Sequence, residues 1–203
     1  MEIDVSRETL DRIEHFEGML ARWTAKINLV SKSTISEIRE RHTNDSLQLV
    51  RFAPKTFDVW ADFGSGGGLP ALVLACVFKE TVPDATMILV ESDQRKSAFL
   101  RSVVRECELN AKVLADRAEE LPSLHADVVS ARALSSLDDL LGLAALHMSP
   151  DGCAIFPKGR RFHDEIEAAQ RNWNFDVAVH PSVTDNEARI LVCKDIERAK
   201  PRI

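Results

Sequence analysis

The chain has 203 residues, 45% of them apolar and 29% charged, with a formal net charge of −6 at pH 7. That length can bury one well-packed domain, and the lack of low-complexity tracts excludes a disordered or fibrous chain. An acidic balance gives no global attraction to nucleic acid, so a partner of that kind has to be met by local basic patches.

No run approaches the roughly 18 apolar residues of a membrane span. The opening MEIDVSRETL has neither the basic stretch nor the apolar core of a leader. A soluble, cytoplasmic protein without a membrane partner is expected. Cys76, Cys107, Cys153 and Cys193 lie far apart among apolar neighbours, without CxxC or histidines at ligand spacing. They read as reduced, buried thiols rather than a metal site.

Residues 1–55 read as a helical extension. Ser6 is a candidate N-cap, and Leu10, Ile13, Leu20 and Trp23 follow a buried helical stripe. The polar TAKINLVSKS connects it to a second helix, which Thr34 and Glu37 would open as a capping box, running through Ile35 and Ile38. From Phe57 to the end, short apolar runs alternate with helical stretches. The runs are FDVWADF, ATMILVES, AKVLAD, ADVVSAR, GCAIFPKG, FDVAVHP and ARILVCKD. Helical segments are expected at LPALVLACVF, QRKSAFLRSVVRECEL, SLDDLLGLAALHM and RFHDEIEAAQRNW, with a short turn near EEL. Such alternation implies right-handed crossovers and a parallel sheet covered on both faces. The last two runs are joined only by PSVTDNE, too short for a helix, and so form an antiparallel hairpin. The expectation is a single α/β domain with a Rossmann-like, seven-stranded, mostly parallel sheet ending in a hairpin.

Between the first run and its helix lies GSGGG, residues 64–68, directly behind Asp62 and Phe63. Glycines there permit positive φ and let a ligand approach bare backbone, while loop amides and a helix start form a polar cradle. A P-loop is excluded by Gly68-Leu69-Pro70, and the dinucleotide fingerprint fails because position 69 is Leu. What remains is Asp62-x-Gly64-x-Gly66-x-Gly68. The negative charge of Asp62 beside the loop suits an amine-bearing ligand better than a pyrophosphate. Glu91, at the end of the second run, is placed to accept two hydrogen bonds from a ribose diol. Asp116-Arg117-Ala118-Glu119-Glu120 follows the third run at the same sheet edge, where it could bracket an adenine.

This constellation resembles the class I S-adenosylmethionine-dependent methyltransferases. The order of HTNDSL (42–47), DFGSGGGLP (62–70), ES (91–92), RK (95–96), FL (99–100), SARA (130–133) and KG (158–159) is similar to that of the RsmG (GidB) family. The resemblance spans nearly the whole chain and implies methylation of guanine N7 in 16S ribosomal RNA, with S-adenosylmethionine as cofactor. It implies cofactor contacts at Gly64, Leu69, Ala118, Glu119 and Arg132, the last clamping the cofactor carboxylate or the guanine O6. Two departures stand out. Ala71 replaces a usual glycine inside a helix start, and Pro157 precedes Lys158 and alters its approach.

Guanine N7 carries its lone pair without a proton, so no general base is nominated, and the enzyme's task is in-line alignment. The RNA is expected to meet two basic clusters. Arg95, Lys96, Arg101 and Arg105 share one helix, and Lys158, Arg160 and Arg161 follow the fifth run. His42, Asn44 and Asp45 would form a polar cap over the substrate or a local helix-end network. Asp127 reads as strand-edge solvation. The implied partner is 16S rRNA within the small subunit, the expected state a monomer, with no metal. A small-molecule methyltransferase, a non-catalytic assembly factor and a nicotinamide oxidoreductase are the alternatives; a chain without tyrosine disfavours the last.

Overall fold

Ser6 caps the first helix: its side chain accepts the Thr9 amide at 3.0 Å and opens α1, Arg7–Thr24, in the computed structural model, which describes residues 5–200. Ile13, Phe16, Met19 and Leu20 of α1 are buried. Leu10, expected in that stripe, is 37% exposed, because the face actually buried passes through Thr9 instead. The predicted second helix is not regular. A 3-10 turn (Lys32–Glu37), a π-helical turn (Arg39–Thr43), the four-residue α2 (Asn44–Leu47) and another 3-10 turn (Gln48–Phe52) follow one another. The capping box does not form, since Thr34 lies within the first turn and its hydroxyl donates to the Ser31 carbonyl at 2.9 Å.

The seven apolar runs are all strands: β1 Val59–Phe63, β2 Thr86–Val90, β3 Ala111–Leu114, β4 Ala126–Ala131, β5 Met148–Lys158, β6 Trp173–Pro181 and β7 Arg189–Arg198. Between them lie α3 Ala71–Thr81, α4 Gln94–Glu106, α5 Leu137–His147 and α6 Phe162–Ala169, and a 3-10 turn covers Ala118–Glu120. The sheet order is β3-β2-β1-β4-β5-β7-β6. The first five strands pair in parallel, while β7 runs antiparallel to both β5 and β6. This is the predicted α/β class with its C-terminal hairpin. Strand β5 starts directly after α5, earlier than expected, and α6 stops at Ala169. Trp173 belongs to β6 because its ring, 4% exposed and covered by the Arg198 guanidinium at 4.2 Å, is used in the core.

Strand alternation divides the core. Trp60, Val128, Cys153 and Ile155 face the side packed by α1, α3 and α4; Ala61, Phe63, Val129, Ala154 and Phe156 face α5 and α6. Burying both faces of the central strands explains why their runs are continuously apolar. The N-terminal helical residues Ile13, Phe16, Leu49 and Ile38 share the first core with α3 and α4. All four cysteines are buried and unbridged. Asp127 is not strand-edge solvation: its Oδ2 accepts the Asp58 and Val59 amides at 2.8 and 3.0 Å, pinning the start of β1 to β4. Order reversal between β1 and β4 puts a crevice at their carboxyl ends, where such sheets bind ligands. Among the described residues, no helix is long and apolar enough to cross a membrane.

Candidate active site

The glycine loop leaves the carboxyl end of β1 and enters α3. Gly64, Gly66 and Gly68 have φ of 64°, 51° and 80°, so the alternating glycines are the positions that need left-handed backbone. Space demands glycine as well. A Cβ on Gly64 would lie 2.6 Å from Leu134 Cδ1, and one on Gly68 would run into Leu72. The Ser65 amide donates to the Val90 carbonyl at 3.1 Å and the Gly68 amide to Ser65 O at 2.6 Å, which fixes the loop against β2. Leu69 is 5% exposed and its side chain belongs to the core.

Asp62 does not face the crevice. It is 1% exposed, with Oδ1 accepting from Ser130 Oγ at 2.6 Å and Oδ2 from Ser65 Oγ at 2.7 Å. Trp60 Nε1 donates to the same Ser130 Oγ at 2.8 Å, so a buried chain runs from Trp60 through Ser130 to Asp62. Burial pushes the Asp62 pKa up to about 6, partly offset by the two hydroxyl donors and by Arg132. Its place is that of a brace beneath the loop. Ser65 and Ser130 carry no signal by themselves; they matter only because Asp62 is adjacent in space.

Glu91 is 7% exposed and stands at the end of β2 as predicted. Its Oε2 accepts the Gly66 amide and its Oε1 the Asp93 amide, both at 2.8 Å. A carboxylate has about four acceptor positions, so two remain for a diol. Gly64, Glu91, Lys96, Ala118, Glu119 and Leu134 are among the residues lining a cavity of about 270 Å³. The segment carrying Ala118 is held from below by His147, a fully buried residue that the sequence reading missed. His147 Nε2 donates to the Ala118 carbonyl at 2.9 Å, and burial lowers its pKa. Bare loop backbone, an acidic strand end and a polar turn at one edge form the donor and acceptor set expected for an adenosine.

A second cavity, about 810 Å³, adjoins the first at Ala133 and is lined by Glu40, Arg41, Asp45, Arg132, Lys158 and Arg189, among others. Arg132, just past β4, places NH1 3.3 Å from Asp45 Oδ2 and 3.4 Å from His42 Nδ1. The side chains of Arg132 and Asp45 are only 20% and 19% exposed. The proposed cap residues His42 and Asp45 thus meet the proposed clamp. Asn44 opens α2 beside them.

The basic residues divide. Lys158, expected to reach RNA, is 9% exposed and tied to Glu165 Oε2 at 2.6 Å and the Ser135 carbonyl at 3.1 Å. That ion pair makes it a bridge between β5 and α6. Arg95 is 75% exposed, with Asp93 at 3.5 Å, and Arg160 is 77% exposed, with Glu187 at 3.8 Å. Exposed pairs of this kind are worth little, so both guanidiniums remain available to a partner. Arg101, Arg105 and Arg161 are exposed as well, and Lys96 is half-buried at the small cavity.

The model of the GidB family, described as rRNA small subunit methyltransferase G, matches residues 9–192. The Ribosomal RNA small subunit methyltransferase G of Cereibacter sphaeroides is 48% identical over 192 residues, covering 95% of this chain and 92% of that one. Its counterpart from a Ruegeria species is 45% identical over 198 residues, covering 98% and 96%. Among solved structures, a SAM-dependent methyltransferase from Aquifex aeolicus aligns with a TM-score of 0.60 at 15% identity, covering 81% of this chain and 97% of that one. The last likeness shows the class I methyltransferase fold; the model match and the close relatives show that the chain belongs to the GidB family.

Proposed function

Taking this membership as the premise, we propose that the chain transfers a methyl group from S-adenosylmethionine to N7 of a guanine in 16S ribosomal RNA, acting as a monomer on the small ribosomal subunit. The observation that carries the reading is the meeting of the two cavities at Ala133, with Arg132 on the larger one. The smaller has the glycine loop, Glu91 and the Ala118 turn to hold a nucleoside. The larger has the size of an ordinary small-molecule site, enough for one base drawn out of its stack.

When bound, the cofactor supplies an electrophilic methyl on a sulfur that departs as a neutral thioether. The chain's own residues then have to bind and orient. Glu91 takes the ribose diol on its two open acceptor positions, and Ala118 and Glu119 flank the adenine. Arg132 takes the methionyl carboxylate with the N–H groups that its neighbours leave free. A ring nitrogen with an unshared pair and no proton needs no base. Three of the nearby carboxylates are already engaged. Asp62 is turned into the protein, Asp45 is paired with Arg132, and Glu165 with Lys158. Alignment of the acceptor nitrogen is then the main catalytic contribution. Arg95, Arg101, Arg105 and Arg160 supply exposed positive charge for the phosphates.

The acceptor atom is tested by incubating the protein with small ribosomal subunits and S-adenosylmethionine, digesting the RNA to nucleosides and identifying the product by mass spectrometry. The expected product is 7-methylguanosine from a single site. A methylated adenosine, cytidine or exocyclic amine would contradict the assignment to N7.

A further inference from the structure

We infer that His42 and Asp45 are positioning residues for Arg132, so that the N-terminal segment aims the group that holds the cofactor's carboxylate. The inference rests on the reading of Arg132 as that clamp.

A guanidinium only donates, so the contact at 3.4 Å makes His42 Nδ1 an acceptor. In a neutral ring the proton then sits on Nε2, which donates to Thr34 Oγ1 at 3.0 Å. The Thr34 hydroxyl in turn donates to the Ser31 carbonyl at 2.9 Å. Every bond in the series Arg132, His42, Thr34, Ser31 points the same way, so a single tautomer satisfies all of them. A cationic His42 would present a donor to Arg132 and break the series. The surroundings act against that cation: burial and the charges of Arg132 and Arg41 lower its pKa, with Asp45 opposing.

Asp45 is fixed just as closely. Its Oδ1 accepts from Gln48 Nε2 and from Thr184 Oγ1, both at 2.8 Å, while Oδ2 faces Arg132 at 3.3 Å. Two anchored acceptors therefore converge on one nitrogen, NH1. The Nε and NH2 groups form the other edge of the planar fork, which can meet a carboxylate with two parallel bonds. Holding NH1 fixes the plane of that edge. The aim of the clamp is thereby set by a helical turn about ninety residues earlier in the chain.

The test compares two ligands by calorimetry: S-adenosylhomocysteine, and 5′-methylthioadenosine, which is the same nucleoside thioether without the amino-acid part. For His42→Leu and Asp45→Asn, affinity for S-adenosylhomocysteine should fall about tenfold, as expected for losing a hydrogen bond to a charged group. Affinity for methylthioadenosine should stay within about twofold, which also shows that the variants are folded. His42→Asn, with an amide oxygen near the Nδ1 position, should recover most of the loss. Equal loss for both ligands, or no loss in either variant, overturns the inference. If Arg132→Met leaves the preference for S-adenosylhomocysteine intact, the clamp reading itself fails and the inference falls with it.

Discussion

Asp62 is a carboxylate that gives up water to brace a loop. Its pKa rises from an ordinary 3.8 to about 6 on folding. Between those values the folded chain binds the proton and the unfolded chain does not. The site therefore contributes stability that is fully present below about pH 4 and lost as pH rises through about 6. A shift of two units corresponds to roughly 3 kcal/mol. Asp62→Asn, neutral throughout and able to bond both serines, should melt above the parent chain near pH 7.5, and the gap should close near pH 4.5. Thermal denaturation at the two pH values checks this; an equal gap at both would show that the carboxylate titrates normally. The glycine loop was legible in the sequence because a run of alternating glycines behind a strand admits few other uses. The brace role of Asp62 was not, since its charge read as facing a ligand and its carboxylate is in fact buried on Ser65 and Ser130. Its partners were not legible either. Ser65, Ser130 and His147 acquire meaning only from neighbours that folding brings up, and a serine or histidine alone carries no spacing to recognise.

At the scale of elements, the strand-helix alternation was readable throughout, because both faces of the central strands are buried and their apolar runs are unbroken. The N-terminal segment was less so. Between Lys32 and Phe52 the chain changes from 3-10 to π to α and back, following tertiary hydrogen bonds rather than a helical period. The burial of Lys158 was hidden for a related reason: a basic residue at a strand end looks solvated until its acidic partner on the next helix is known. Gln48 is the clearest case of hidden importance. It is 2% exposed; its Nε2 lies within reach of Asp45, Ser182 and Thr184, and its Oε1 accepts the Val183 amide at 2.9 Å. That one side chain joins the N-terminal segment to the β6–β7 connection. Gln48→Ala should speed hydrogen exchange of the Val183 amide at least about tenfold while the β1 and β4 amides keep their protection. Unchanged exchange at Val183 would mean the connection holds its shape without the glutamine.

The whole molecule combines a net charge of −6 with exposed arginines along α4, Arg95 at the helix start beside the crevice and Arg101 and Arg105 successively further from it. A small basic patch on an acidic body suits a folded RNA held at a few phosphates, and its contribution falls with salt. In the proposed function the donor's nucleoside occupies the smaller cavity, its carboxylate reaches Arg132 past Ala133, and the RNA base enters the larger one. The direct measurement is the initial rate of labelled methyl transfer from S-adenosylmethionine to purified small ribosomal subunits at low salt, with the parent chain beside Arg95→Glu/Arg101→Glu. One methyl per subunit is expected from the parent chain and a rate lower by about tenfold from the double variant, with binding of S-adenosylhomocysteine unaltered. A parent chain that binds the cofactor but transfers no label to subunits or to their naked RNA would not be a methyltransferase of this RNA.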